Sequence, residues 1–196
     1  MHTVITPSVL YFGTPVALVS TLNADGTTNL SPISSLFALG TTYALGLATD
    51  GHAVANLARR RELVINLPDA DLVEAIERIA ATTGASPVPI DKAPRYRHVQ
   101  DKWRLGGLTR VPSATVGPDR VLECPVHLEA RVVDITPFAE GTVLVQARVA
   151  KVHARADLVQ PGTSYLDLAR WRPLYYTFRH YFAQGEEVGV SFKAEQ

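Results

Sequence analysis

Two short segments concentrate the residue types that could do chemistry. The first is Asn29-Leu30-Ser31-Pro32-Ile33-Ser34-Ser35, where three hydroxyls crowd the end of an apolar run. Ser34 and Ser35 offer oxygens and backbone N–H groups suited to a phosphate or to the polar edge of a heterocycle. Pro32 frees one backbone position from ladder pairing, and Ile33 adds an apolar neighbour. The same hydroxyls are equally able to cap their own backbone. The second segment is Thr49-Asp50-Gly51-His52-Ala53-Val54-Ala55-Asn56. A hydroxyl, a glycine and a helix start together suit an anion, because free N–H groups and the helix dipole point the same way. Asp50 is the awkward member, since its charge repels an anion unless it turns away as a cap.

The elements that must position these segments read as short strands joined by turns, with two helices inserted. Residues 15–22 are rich in β-branched and aliphatic side chains and end at Asp25-Gly26, a hairpin signal. The return strand covers residues 27–33, and further strands are predicted over 43–48 and 63–67. Two long strands, 126–135 and 142–154, are long enough to wrap a barrel. Residues 52–62 change period, with Val54, Leu57 and Ala58 on one face and arginines at the end. Thr49-Asp50-Gly51 supplies cap-type oxygens to that helix. Residues 69–83 predict a second helix, capped by Asp69, striped by Leu72, Ile76 and Ile79, and stopped by Gly84. Residues 85–120 are an irregular excursion with a basic-aromatic stretch over 92–104, expected to act as a lid or a dimer contact. The tail, 165–196, reads as helix-like at first and then aromatic. The expectation is one domain over 1–196, mainly β with inserted helices, barrel-like and not a doubly wound parallel sheet.

Composition narrows the function classes. Nineteen basic residues balance nineteen acidic ones, so no basic excess advertises nucleic acid or a membrane surface. No apolar run approaches the roughly 18 residues of a membrane span, and the opening MHTVITPSVLYFG lacks a secretory pattern, so the expected location is cytoplasmic. A single cysteine, Cys124, excludes an internal disulfide and a cysteine-only zinc site, and it reads as a small core residue. His127-x-Glu129 places two side chains on one strand face, but no metal is expected from that pair alone. The dinucleotide glycine fingerprint, the P-loop, the nucleophile elbow and the paired-histidine zinc motif are all absent.

Taken in order, Tyr11-Phe12-Gly13-Thr14-Pro15, then Asn23-x-Asp25-Gly26-x-x-Asn29-x-Ser31-Pro32-x-Ser34-Ser35, resemble the opening of the flavin reductase-like, FMN-binding split-barrel proteins. The resemblance continues through Asn56-Leu57, Val64-Ile65-Asn66-Leu67-Pro68, Gly107-Leu108-Thr109 and Glu123-Cys124-Pro125-Val126-His127-Leu128-Glu129. It implies an antiparallel Greek-key barrel and a homodimer with flavin at the subunit interface. The cofactor implied is FMN, with FAD the second candidate, and NADH or NADPH the hydride donor. Ser31, Pro32, Ile33, Ser34 and Ser35 become contacts of the ring or ribityl chain. Thr49, Asp50, Gly51, His52 and Asn56 fall on the phosphate side. Reduced flavin would then pass to a partner oxygenase or another acceptor.

One departure bears on activity. Relatives with reductase activity often carry Gly-Asp-His at the start of the last long strand, whereas this chain has Glu140-Gly141-Thr142. Thr142 is thus the candidate beside the nicotinamide, able to hydrogen-bond but not to supply imidazolium charge. A non-catalytic flavin carrier or sensor on the same fold, or a related haem- or deazaflavin-binding barrel, remains the alternative. Arg59-Arg60-Arg61 read as a solvated helix end, from which one arginine could reach the phosphate. The six aromatics among residues 171–182 read as packing across a dimer or over the flavin.

Overall fold

The computed structural model describes residues 1–194. In chain order the elements are β1 (Thr14–Pro15), β2 (Ala17–Leu22), β3 (Thr28–Ile33), β4 (Leu36–Leu39), β5 (Thr42–Ala48), α1 (His52–Arg59), β6 (Glu62–Leu67), α2 (Val73–Ala80), β7 (Thr82–Thr83) and β8 (Arg97–His98). They continue with α3 (Lys102–Gly106), β9 (Arg110–Val111), β10 (Arg120–Val121), β11 (Val126–Ala139), β12 (Thr142–Ala154), β13 (Leu174–Thr177) and β14 (His180–Ala183).

Seven strands form one antiparallel sheet in the order β3-β2-β6-β11-β12-β5-β4. Its two edge strands, β3 and β4, are consecutive in the chain and joined only by Ser34-Ser35. Two residues span too little distance to leave those edges far apart, so the sheet curls into a barrel that is split between β3 and β4, which are not hydrogen-bonded neighbours in it. The Gly46 N–H donating to the Ser35 carbonyl at 2.7 Å ties that corner to β5. β6, β11 and β12 are inserted between the two early hairpins, which is the Greek-key crossover.

The Asp25-Gly26 hairpin forms as expected, with Gly26 at φ 83° and its N–H donating to the Asn23 carbonyl. β11 runs further than its sequence suggested, to Ala139, and β4 has no counterpart among the expected strands.

β2 alternates between two cores. Ala17 and Val19 point into the barrel with Leu45, Leu63, Ile65 and Val145. Leu18, with Val16 just before the strand, faces outward under Ile76 and Ile79 of α2 and Trp103 of α3. Burying Ile76 or Ile79 completely contributes about 2 kcal/mol each. Asn66 on β6 is fully buried between these layers. It donates to the Leu18 carbonyl and the Ser20 hydroxyl, and its carbonyl accepts the Val121 N–H.

The helices differ in detail from expectation. α1 buries Ala53, Asn56 and Leu57, and Ala58 is exposed. The second helix begins as a 3-10 turn capped by the Asp69 carboxylate and ends at Ala80, after which Thr82-Thr83 turn extended. Residues 165–170 are not helical: Leu166 bridges Val159 and residues 168–170 form a turn. The aromatic stretch folds into the β13–β14 hairpin, which pairs with β1. Phe178 and Arg179, at its tip, both have positive φ. The Phe178 N–H donates to the Tyr11 carbonyl and its ring meets Phe12 edge-on at 4.8 Å, contacts that hold an otherwise strained turn. Glu195 and Gln196, the end of the predicted tail, lie outside the described residues. No described helix is long and apolar enough to cross a membrane.

Candidate functional site

β3 is an edge strand, and its outward-facing carbonyls need partners that the sheet cannot give. α3 supplies them. The Trp103 indole N–H donates to the Thr28 carbonyl at 2.7 Å, and the Lys102 ammonium donates to the Leu30 carbonyl at 2.9 Å. A second, longer bond runs from Lys102 to the Thr82 carbonyl. Pro32, next in that outward series, has no N–H to leave unpaired. The excursion over residues 85–120 thus folds back along the edge of the barrel.

Between that edge, the start of α1 and the returning segment lies a cavity of about 140 Å³. Ser31, Thr82, Thr83, His52, Lys92 and Lys102 provide its polar lining, while Ile33, Leu47, Ala48 and Val54 provide apolar wall. A second cavity of about 300 Å³ adjoins it. The two share Pro32, Ile33, Ala80 and Tyr96. The second is framed by Val16, Ser34 and Ile76, with Tyr176, Tyr181 and Glu77.

The first cavity is electropositive. Lys92 is tied to Asp50 by an ion pair of 2.8 Å, the one carboxylate bonded to a lining cation among the described residues. Lys102 is almost wholly buried, and its ammonium is pulled down to about 8, first by burial and then by the charge of Lys92. His52 is also held below its ordinary value by burial, then by Lys102, Arg59 and His98. Burial is the larger cause of both shifts, and the positive neighbours add to it, so both groups lose hydration and face like charge that an anion would relieve.

Glycine permits the close packing. A Cβ on Gly84 would stand 2.5 Å from His52 Cδ2 and 2.8 Å from Asn29 Oδ1. Gly51 is the N-cap of α1, makes no side-chain cap bond, and a Cβ there would meet the Ala48 carbonyl at 2.8 Å. The cap expected from Thr49 and Asp50 is therefore not formed. Asp50 turns to Lys92 instead, which removes the repulsion expected of it.

Of the predicted cofactor residues, Ser31, Pro32, Ile33, Gly51 and His52 line the first cavity, and Ser34 lines the second. Ser35 is hydrogen-bonded to the Tyr11 hydroxyl and lines neither. Thr49 is exposed, with its N–H donating to the Gly141 carbonyl. Asn56 is fully buried, its amide spent on Thr21, Asn23 and Arg59, so it does not open on the cavity. Thr142 pairs with Ala48 across β12 and β5, yet its hydroxyl is engaged with Ala139 in the turn. Arg59 donates to the Leu22 carbonyl and to Asn56 and does not reach the cavity. Lys92, Tyr96 and Lys102, with Thr82 and Thr83, are the residues that reasoning from motifs missed. The basic-aromatic stretch over 92–104 signalled the first three, whereas Thr82 and Thr83 were read as the end of the second helix.

The His127-x-Glu129 pair is structural. Buried Glu129 accepts the N–H groups of Ala114 and Thr115, the Thr115 hydroxyl and His153, pinning the loop over β11. His127 is hydrogen-bonded through Nε2 to the Val121 carbonyl. Among the described residues no three His, Cys, Asp or Glu side chains gather to hold a metal. Cys124 is a buried core thiol whose pKa burial pushes well up.

The class that this architecture defines is the antiparallel split barrel. The chain belongs to the flavin reductase like domain family, whose model matches residues 9–185. It is 39% identical over 194 residues to the uncharacterized protein YdfE of Bacillus subtilis (strain 168), covering 97% of this chain and 93% of that one. Its fold matches flavoredoxin of Desulfovibrio vulgaris (Miyazaki F), with a TM-score of 0.83, 19% identity and 99% of each chain covered. Nitrilotriacetate monooxygenase component B from Bacillus cereus aligns with a TM-score of 0.73 and 20% identity, over 94% of this chain and 90% of that one.

Proposed function

We propose that this chain is an FMN-binding oxidoreductase that reduces its flavin with NADH or NADPH. The observation that carries the reading is the junction of two unlike cavities at one strand edge. The smaller holds two lysines, a histidine and three hydroxyls, a donor set that suits a phosphate monoester. The larger has tyrosine and aliphatic walls, which suit a planar ring. Pro32 and Ile33 belong to both, so one ligand can span them along β3. The small volume of the cationic end favours FMN over FAD.

Within this reading, Lys102, Lys92, His52, Ser31, Thr82 and Thr83 bind the phosphate. Pro32 and Ile33 form the floor beneath the ring, and Ser34 offers a hydroxyl at its edge. Tyr96, Tyr176 and Tyr181 exclude water from it. The bound flavin supplies the hydride chemistry itself, so the protein needs to position and shield it and not to provide a nucleophile. The resemblance to nitrilotriacetate monooxygenase component B supports a partner oxygenase as the destination of reduced flavin.

A homodimer completes the reading. Phe37 and Leu39 on β4, Phe138 on β11 and Val152 on β12 are more than half exposed, which supports a second copy covering the outside of the barrel. Light scattering at micromolar concentration is expected to return twice the 21.3 kDa chain mass.

A flavin carrier is the second reading, favoured by the Thr142 hydroxyl being committed to Ala139. An absorbance spectrum followed by anaerobic NADH and NADPH separates the two. A band at about 450 nm that bleaches on either nucleotide supports the reductase. A band that persists with both supports the carrier. A colourless protein that fails to bind added FMN overturns both.

A further inference from the structure

His52 is held by a chain of side-chain amides whose orientations follow from one another. Arg59 can only donate, so Asn56 meets it through Oδ1, at 2.7 Å. The Asn56 amide nitrogen is therefore turned the other way, donating to the Thr21 hydroxyl at 3.0 Å and to Asn23 Oδ1 at 3.1 Å. Asn23 in turn donates through its own nitrogen to the Thr27 hydroxyl. Its Oδ1, which also lies 2.8 Å from His52 Nε2, is an acceptor. His52 Nε2 must then carry the proton. In the neutral ring, which burial and then the charges of Lys102, Arg59 and His98 favour, Nδ1 is left as the bare lone pair, and no hydrogen bond to it is found among the described residues.

A bare lone pair is an odd fitting for a cavity gathered around an anion, because phosphate oxygen and imidazole nitrogen repel unless a proton lies between them. The groups facing His52 are Lys102 from α3, Arg59 from its own helix and His98 from β8. The nearby carboxylate, Asp50, is tied to Lys92. An empty site thus favours the neutral ring, and a dianion reverses that field.

We propose that His52 takes up one proton at Nδ1 when a phosphate monoester enters the cavity, and that Asn56, acting through Asn23, is the positioning residue that reserves that nitrogen for it. The step rests on the flavin reading above. It moves one proton from solvent to imidazole and breaks no other bond. Ligand binding at this site is consequently proton-linked, and its affinity falls as pH rises.

Calorimetric titration with FMN in two buffers of different ionisation enthalpy reads the proton count directly. At about pH 7 a phosphate monoester is already mostly dianionic, and Lys102, at about 8, is mostly charged. Uptake of about one proton per FMN is expected there, and none with riboflavin, which lacks the phosphate. In His52→Gln the uptake disappears and FMN binds more weakly. In Asn23→Asp a carboxylate faces Nε2–H, the ring is protonated beforehand, and the uptake falls. Long-range proton–nitrogen NMR of the ring is expected to show the Nε2–H tautomer in the parent chain and a tautomer mixture in folded Asn56→Ala. FMN binding without proton uptake, or uptake unchanged in His52→Gln, overturns the inference and leaves the flavin reading intact. If neither FMN nor inorganic phosphate binds, the flavin reading falls and takes the inference with it.

Discussion

The ammonium of Lys102 sits 2.9 Å from the carbonyl oxygen of Leu30, a residue 72 positions earlier in the chain. That bond closes the free edge of β3 and places a buried cation at the bottom of the electropositive cavity. The same group serves the fold and the site, and its two roles respond to pH in opposite directions.

The folded-state pKa of Lys102, about 8, lies below its ordinary 10.5. Between those values the unfolded chain binds more protons, so the stability of the unliganded protein should rise with pH across that window, by up to about 3 kcal/mol. FMN affinity should fall over the same range as the cation is lost. Urea denaturation and FMN titration from pH 7 to 10 check both signs, and Lys102→Met should weaken FMN binding by about tenfold or more.

Gly84→Ala tests the packing behind His52. The added carbon would stand 2.5 Å from the imidazole, so the ring must move toward the cavity. FMN affinity should drop by roughly tenfold, about 1.4 kcal/mol, with a smaller change in thermal midpoint. Fluorescence quenching of added FMN measures the first quantity and calorimetry the second.

Ser34 and Ser35 should part company on mutation. Ser34 lines the second cavity, whereas Ser35 is bonded to Tyr11. Ser34→Ala is expected to cost about 1 kcal/mol of flavin affinity and Ser35→Ala much less. Equal effects on FMN binding would contradict the placement of the ring.

Glu129 predicts the acid limit of the fold. Burial alone would raise its pKa, but the hydrogen bonds from Ala114, Thr115 and His153 prevail and hold it at about 2. A depressed carboxylate contributes its stability above the unfolded value of 4.5 and loses it as pH falls toward 2. The loss should approach about 3 kcal/mol. Glu129→Gln should remove most of this dependence and cost about 2–4 kcal/mol near neutrality, since the loop loses its anionic anchor. Urea midpoints between pH 2 and 7 for both proteins provide the test.

Local chemistry made much of the barrel readable. β-Branched and aliphatic residues over 15–22, a return strand over 27–33 and Asp25-Gly26 between them specify a hairpin, because strand propensity and turn dihedrals are properties of neighbouring residues. The β13–β14 hairpin was missed for the same reason. Its Phe178-Arg179 tip lacks the glycine that would mark it, and distant contacts from Tyr11 and Phe12 hold it in place. The period of α1 was legible too, but Asn56 took a core position that composition would assign to Ala58.

By itself the sequence determined the antiparallel barrel, the hydroxyl-rich strand at Ser31–Ser34 and the loop that brings His52 to it. It carried the family resemblance that the match over residues 9–185 bears out. Only the tertiary structure decided which polar residues share a cavity. Ser31, His52, Thr82, Lys92 and Lys102 come from five separate stretches. They meet because β3 is an edge whose unpaired carbonyls draw α3 across it. That need arises from strand order, and no window of neighbouring residues records which strand will be left at the edge.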